Sequence, residues 1–563
     1  SKVEKWTSGQ VNPFGLCGDR YGNLYSADCH SSPIYQLIRG AHYPSFGKPH
    51  DGLGFTPVMC QHTHGSTGIC RIVYIDGGVW GPEWDDHTFV GNVVTSKVNH
   101  DYVTFTGSTP KANERPDFLT SDDPWFRPVD LQLGPDNALY IADFYNKIIG
   151  HYEVPLDHPG RDKERGRIWR VVKKDTKQQK SDFTAMLPRE IASELGHPNL
   201  TRRHLALREV RLRGTKAWLP EFFRVFKEGE TMVAQGDRAP PDLRPNDIGD
   251  FKHHPIDWPK SDMRMAYTTW ALSYLGERFL VSNILRALHT GGSWVEDNGW
   301  ELNGLVMSHA AQVIGSYDKL HPWEKWNLGI AFDGRGSAIG RVATQALLQR
   351  PDFLVGDPNW RSIIVKMLVL LTDELLSPPG PENGLSEKQG DDSYVYSLRL
   401  LLRDVLSQPG WLEDPEACRW VEKVMDKPWF IEVLQSVPTA DAATFSFKQL
   451  QAAQSTTPAR IKHIARYLQP ASITEVIALA KEISSSASTA SKFPAAAVPK
   501  APPSSAQDKV LGSPEATKPP TKQSAKGATL DSARTQTAKD TGSQESALQA
   551  SGSGVITSSD GPR

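Results

Sequence analysis

PWFRPVDLQLGPDNALYIADFYNKIIGHYEVPLDHPGRDKERGRIWRVV, residues Pro124–Val172, decides how the N-terminal region is read. Asp136-Asn137 is a turn signal, because both side chains bond their own backbone and tolerate left-handed geometry. Leu139-Tyr140-Ile141-Ala142 is rich in strand formers. Ile148-Ile149 reads as a second strand and Arg167–Val172 as a third. Short antiparallel strands joined by polar turns make up most of one β-propeller blade.

Working outward, the same pattern recurs. Gly22-Asn23-Leu24-Tyr25-Ser26-Ala27-Asp28 matches Asn137-Ala138-Leu139-Tyr140-Ile141-Ala142-Asp143, each with a turn and then L-Y-x-A-D. An apolar segment precedes each copy, Phe14–Leu16 and Val129–Leu131. Between them Cys70–Tyr74, Thr88–Gly91 and Tyr102–Phe105 form a third unit. Repeats of this kind signal propellers or solenoids. About three blades cannot close a ring, which takes about four or more. The expectation is a partial propeller, completed elsewhere.

The 563-residue chain as a whole divides by composition. Residues 1–174 are β-like, with many Gly, Pro, His and aromatic residues. Residues 182–483 show apolar residues at helical spacing in a series of short segments. These are Leu200–Val210, Met263–Leu275, Phe279–Leu288, Leu305–Ile314, Ile339–Leu348, Trp360–Leu371, Val395–Leu406, Trp420–Met425 and Ile461–Leu468, many of them stopped by Gly or Pro. In the first, Leu200, His204, Leu207 and Val210 share a face with Arg203 outside, Thr201 helps to cap the start and Gly214 ends the helix. Such a series predicts an α-solenoid of HEAT-like (armadillo-type) repeats, interrupted by a polar insertion at Asp237–Pro259. Residues 484–563 are Ala, Ser, Thr, Pro, Lys and Gln, with no aromatic after Phe493. A segment with so little apolar surface cannot offset its ordering entropy, so a disordered linker is expected.

Charge and cysteine content narrow the function. A formal net charge of -2 offers no basis for nucleic-acid binding. The longest apolar run, Ile363–Leu376, is broken by Lys366 and Asp373-Glu374, so no transmembrane segment is expected. Ser1 leads almost at once into folded-looking sequence; the N-terminus reads as cut, and the missing signal peptide carries no information about compartment. Cys17, Cys29, Cys60, Cys70 and Cys418 form neither C-x-x-C nor the C-x-x-C-H pattern of haem attachment, and their odd number leaves disulfides open.

With these stretches in view, the first region resembles the glucose/sorbosone dehydrogenase type of six-bladed propeller. More closely, the chain resembles the large membrane-bound dehydrogenase-like proteins of planctomycetes and verrucomicrobia. The residues that carry this are Val11–Leu16, Tyr25–His30, His64–Gly68, Asp123–Asp130, His158–Asp162 and Gly166–Ile168. The resemblance covers nearly all of residues 8–172 and is weaker over 182–483. It implies a propeller joined to HEAT-like repeats and then to a haem c domain, with this chain an internal fragment of that arrangement. It further implies a periplasmic or secreted protein that oxidises a sugar or alcohol. A quinone such as pyrroloquinoline quinone is the cofactor the resemblance suggests, with haem c held only by the missing domain.

The resemblance and the residues together nominate a site. In the quinone enzymes an Arg-Asn-Pro turn contacts cofactor and substrate; here it is Val11-Asn12-Pro13, which keeps Asn12 and loses the Arg. Two arginines lie near an Asp in the related blade; Arg127 fits one position, three before Asp130, and Val129 occupies the other. A guanidinium suits a carboxylate-bearing cofactor or substrate because its planar fork binds carboxylates bidentately. Asn12, Arg127 and Asp130 are therefore the cofactor-binding candidates, each with a plainer reading as a turn or strand tie. His64, in His64-Gly65-Ser66-Thr67-Gly68, is the acid–base candidate beside Arg127, since imidazole titrates near neutrality. Cys60, His62 and His64 alternate, so an extended backbone would point all three to one side as metal ligands. The plainer reading is a polar loop near the channel mouth. Asp28 and Asp143 end their strands and are expected to satisfy turn amides.

Three functions follow: a dehydrogenase part that is inactive by itself, a non-catalytic scaffold binding carbohydrate or protein through the propeller and HEAT-like array, or a metal site at Cys60, His62 and His64.

Overall fold

The computed structural model describes residues 3–149, 154–174, 181–222, 224, 260–290, 300–332, 337–348, 350, 358–377, 390–453 and 457–468, with 474, 477, 478 and 481. The expected insertion at Asp237–Pro259 and the expected disordered linker at 484–563 lie outside these residues.

The N-terminal strands form three separate antiparallel sheets. The first holds β1 (Pro13–Gly18), β2 (Leu24–Asp28) and β3 (Ile34–Leu37). The second holds β4 (Ile69–Ile75), β5 (His87–Asn92), β6 (Lys97–Thr106) and β7 (Thr109–Thr120), and the third β8 (Pro128–Leu133), β9 (Leu139–Asp143) and β10 (Arg167–Val171). The repeat extends to register: Pro13 pairs with Asp28, Ile69 with Asn92 and Pro128 with Asp143. Each first strand then carries an irregularity, between Pro13 and Gly15, Cys70 and Ile72, or Pro128 and Asp130. Such bulges bend the strand and strengthen its twist. The first strands β1, β4 and β8 lie side by side, the arrangement of inner propeller strands.

Alternation along these strands builds two inter-sheet cores. Tyr25, Ala27 and Ile34 of the first sheet meet Ile69, Ile72 and Tyr74 of the second. Val73, Ile75 and Phe89 of the second meet Leu131, Leu139 and Ile141 of the third. Gly91 permits the second contact: a Cβ there would stand 2.4 Å from the Pro128 carbonyl oxygen.

One expected strand is absent. Ile148 and Ile149 lie in a loop, and β10 pairs directly with β9. The physical reason is that β8 and β10 already occupy both edges of β9, while the Ile148 amide bonds the Gly160 carbonyl at 3.2 Å. The long polar strand β7 lacks an alternating apolar pattern; pairing along most of β6 makes it a strand.

The helical region comprises α1 (Pro188–Glu194), α2 (Leu200–Arg213), α3 (Lys260–Tyr274), α4 (Arg278–Thr290), α5 (Trp300–Gly315), α6 (Pro322–Phe332) and α7 (Ser337–Leu347), followed by α8 (Pro358–Leu376), α9 (Asp392–Leu406), α10 (Pro415–Glu422), α11 (Pro428–Ser436), α12 (Ala440–Ala453) and α13 (Pro458–Tyr467). Several begin at proline, whose fixed φ suits a first turn and whose missing N–H has no helical partner there. Proline therefore starts α6, α10 and α11, which the apolar spacing had left unread or misplaced; the segment expected at Trp420–Met425 is a helix ending at Glu422. α3, α5, α7 and α9 stack in series, while α4 pairs with α6 and α8 with α10 in a second layer.

The start of α2 differs from expectation. Asn199 is its cap, accepting from the Thr201 and Arg202 amides, whereas the Thr201 hydroxyl donates to the Leu133 carbonyl at 2.6 Å. Arg202 and Arg203 are fully buried, so Arg203, expected outside, faces inward, while Arg211 stays exposed. Arg202 pairs with Glu194 at 2.6 Å and bonds the Pro135 carbonyl, and Arg203 donates to the His197 and Pro198 carbonyls and lies over the Tyr267 ring. Pairing and hydrogen bonding are what make such burial tolerable.

Sheets and helices form one unit within Ser1–Ser491. The His309 ring donates to the Arg20 carbonyl, Gln312 donates to the Tyr21 carbonyl and Arg341 bonds Asn23, all at the β1–β2 turn. Asp391, before α9, accepts from the Ser108 amide and from the Ser108 and Thr109 hydroxyls in the β6–β7 turn. The helical core also takes in Tyr35, Ile38, Ala41, Tyr43 and Leu53 from around the first sheet.

Candidate functional site

The loops that lead into β1, β4 and β8 occupy equivalent places in the three sheets. Each is tied by the residue that ends the second strand. Asp28 accepts from the Val11 and Asn12 amides at 3.0 and 2.8 Å. Asp143 accepts from the Arg127 and Tyr145 amides at 2.8 and 2.9 Å, and Arg167 and Trp169 also donate to it. In the middle sheet Asn92 takes this place and donates from Nδ2 to the His64 carbonyl at 3.3 Å. The turn-amide role expected for Asp28 and Asp143 is the one their bonds describe. Asn92 as the third copy escaped sequence reading because T-F-V-G-N departs from L-Y-x-A-D.

His64 and His62 meet on Asp101 of β6. His62 Nε2 lies 2.7 Å from Asp101 Oδ1 and His64 Nε2 lies 2.8 Å from Oδ2. The Asp101 side chain is 0% exposed, that of His64 1% and that of His62 21%, so His62 is the side open to solvent. Glu114 of β7 stands 3.5 Å from His64 Nδ1. Burial alone would raise the Asp101 carboxyl, but hydrogen bonds from His62 and His64 outweigh it and hold the group below its usual range. The bond to Asp101 in turn lifts the His62 imidazole above its ordinary value, against its own partial burial. With Nε2 on the carboxylate, Nδ1 of His62 is the nitrogen left to accept a proton from outside.

Of the other candidates only Cys60 touches this cluster. Cys60 Sγ lies 3.5 Å from the His62 carbonyl, to which it donates, and 3.5 and 3.6 Å from the two His62 ring nitrogens. Burial pushes its thiol up to about 12, so it is a poor source of the thiolate that metals prefer. Arg127 is buried and donates to the Asn146 and Lys147 carbonyls and to the Ser96 hydroxyl, at 2.9, 3.0 and 2.6 Å. Its guanidinium thus bridges the second and third sheets. Asp130 is paired with Arg71 at 3.2 Å. Asn12 is exposed, and its carbonyl accepts from the Cys29 amide at 3.0 Å. No hydrogen bond joins Asn12, His64 and Arg127 to one another among the described residues.

These contacts bear on a quinone. Its carboxylates call for guanidinium forks, yet Arg127 spends its donors on protein oxygens and valines stand at positions 11 and 129. The described residues do not fit a quinone held in the manner of the sugar dehydrogenases. Asp101 and Glu114 were not legible as site residues, because strands 37 or more residues downstream bring them to His64.

Residues 1–175 match a family described as a domain of unknown function (DUF7133). Among solved structures, an oxidoreductase (glucose dehydrogenase) from Thermus thermophilus is 17% identical, with a TM-score of 0.23, covering 30% of this chain and 46% of that one. Two further structures described as glucose dehydrogenases are 21% and 18% identical, with TM-scores of 0.18 and 0.20; they cover 24% and 31% of this chain, and 39% and 48% of theirs. The chain therefore spans about half or less of the length of these structures, and the similarity is a distant one. No curated protein matches the chain. No described helix is long and apolar enough to cross a membrane.

Proposed function

We propose that this chain is part of a dehydrogenase-like protein acting on a hydroxylated substrate, a sugar or an alcohol. In this reading residues 1–174 are the C-terminal half of a six-bladed propeller and 182–483 a HEAT-like solenoid bracing it. The protein would be periplasmic or secreted, and electrons would pass to a haem c group carried outside this chain.

One observation carries the reading: the His62–Asp101–His64 cluster, built into a loop that leads into an inner strand. Oxidation of an alcohol removes the hydroxyl proton and a hydride; an imidazole oriented by a buried carboxylate suits the first, and the hydride would pass to a two-electron acceptor of the quinone or flavin class, held outside the described residues, before its electrons reach the haem. His62 Nδ1 takes the proton, and Asp101 stabilises the imidazolium that results. His64, locked between Asp101 and Glu114, positions the carboxylate. The residue pattern shared with the dehydrogenase-like proteins adds support from sequence.

The test is calorimetric titration of chain 1–563 with a panel of sugars and short alcohols. Binding is expected, at least tenfold weaker in His62→Gln, with a pH profile in the wild type that the variant lacks. Absence of binding by every hydroxylated ligand would overturn the proposal. That result would favour a second reading, a scaffold recognising a protein partner, which the structural bonding of Arg127 supports.

A further inference from the structure

We propose that His62, His64 and Asp101 bind a divalent transition-metal ion of the zinc, cobalt or nickel class. The same three side chains would hold an ion in a dehydrogenase or in a scaffold alike.

The donor set comes first. Two imidazoles and one carboxylate are borderline ligands that suit zinc and its neighbours, whereas calcium and magnesium take oxygen-rich shells. The geometry agrees. One ligand atom from each residue lies within 4.8 Å of the others. The Nε2 atoms approach the two Asp101 oxygens at 2.7 and 2.8 Å. Metal–ligand bonds of about 2.0–2.1 Å in a tetrahedral shell separate ligand atoms by roughly 3.3 Å. Loading an ion therefore draws the widest pair of ligand atoms together by up to about 1.5 Å, a movement open to His62 on its solvent side.

The surroundings are those of a metal centre with an open position. Three protein ligands leave a fourth place for water or substrate, as in catalytic zinc sites. Glu114, 3.5 Å from His64 Nδ1, is the outer carboxylate that fixes a ligating imidazole through its other nitrogen. Asn92 holds the His64 carbonyl, and His64 sits at a φ of 53°, a left-handed conformation that sets the direction of its side chain. Asp101 on β6 supplies the third ligand in place of Cys60, whose sulfur stays on its own loop bonded to the His62 carbonyl. Where a hydroxylated substrate binds, the ion would acidify its hydroxyl, as a zinc ion lowers the pKa of bound water.

The experiment strips chain 1–563 with a chelator and titrates Zn²⁺ by calorimetry and Co²⁺ by its visible absorption. The expected result is one equivalent bound, with a tetrahedral or five-coordinate cobalt spectrum. Affinity should fall at least tenfold in Asp101→Asn and in His64→Gln, and be retained in Cys60→Ser. Circular dichroism checks that each variant is folded. Should the buried variants fail that check, His62→Gln, at the solvent-facing position, provides the same test, together with a zinc-dependent rise in the wild-type melting temperature. A folded wild type that binds neither ion overturns the proposal. So does binding that all three ligand variants retain, or binding lost in Cys60→Ser. Metal binding is read without turnover, so its failure is distinct from failure to bind a sugar.

Discussion

Replacing Asp391 with alanine removes the point at which the helical array grips the middle sheet. Asp391 is 1% exposed and makes four bonds through its carboxylate. Oδ2 accepts from the Ser108 amide at 2.6 Å; Oδ1 accepts from the Ser108 and Thr109 hydroxyls at 2.9 and 2.8 Å and from the Tyr394 amide at 3.0 Å. Loss of the cap on α9 costs about 1 kcal/mol. The buried Ser108 amide left without an acceptor costs about 1–3 kcal/mol. The two hydroxyls can turn to other acceptors and add about 0.5 kcal/mol each at most. The sum is roughly 2–5 kcal/mol for Asp391→Ala and about 1–2 for Asp391→Asn, which keeps one carbonyl oxygen. Denaturant unfolding followed by tryptophan fluorescence reads the loss, and native-state hydrogen exchange reads it locally. The Ser108 amide should exchange roughly a hundredfold faster in the alanine variant. A loss below about 1 kcal/mol, or an asparagine variant as damaged as the alanine one, would refute the reasoning.

Two other perturbations probe further turns at the helix-facing end of the sheets. Gly22 has a φ of 78°, and a Cβ there would stand 2.3 Å from Gln312 Oε1, so Gly22→Ala should cost about 2 kcal/mol and lower the melting temperature; an unchanged melting temperature would contradict the turn geometry. Burial raises the Asp76 carboxyl from 3.8 to about 7, against the opposing pull of Arg20 and Arg203. The folded state therefore holds this proton more tightly than the unfolded chain, and the stability it contributes is present below pH 4 and is lost as pH rises through 7. Asp76→Asn should match the wild type near pH 4 and exceed it near pH 8, by about 4 kcal/mol at most; paired denaturation curves at the two pH values check this, and equal differences at both would sink it.

The repeated L-Y-x-A-D strands were readable because alternation and turn chemistry act locally. Leu139–Asp143 and Leu24–Asp28 need only their own side chains to declare themselves as strands. β7 was not readable, since Thr109–Thr120 carries no apolar alternation and exists through its ladder with β6. Ile148-Ile149 misled for the converse reason: strand-forming residues following β9 do not pair with it where β8 and β10 already hold both of its edges. Arg203 looked like a solvent residue because helical periodicity registers charge but not the carbonyls of His197 and Pro198 waiting inside. At the candidate site His62 and His64 were legible from their alternation, and the loop that carries them from its resemblance to known sequences. Asp101 was not, because an acidic residue inside V-N-H-D-Y-V gives no hint of which loop will cover it.

By itself, then, the sequence determined the local things: three strand repeats, a run of helices, and a loop with closely spaced histidines. Each depends on interactions between residues a few positions apart, which composition and spacing record. Only the tertiary structure decided that Arg127 is a tie between sheets and that the acid between the histidines is Asp101. Only it decided that Asp391, 283 residues from Ser108, caps a helix and a β-turn at once. These are long-range choices, made when burial forces each polar group to find a partner, and no spacing along the chain encodes which partner it will be.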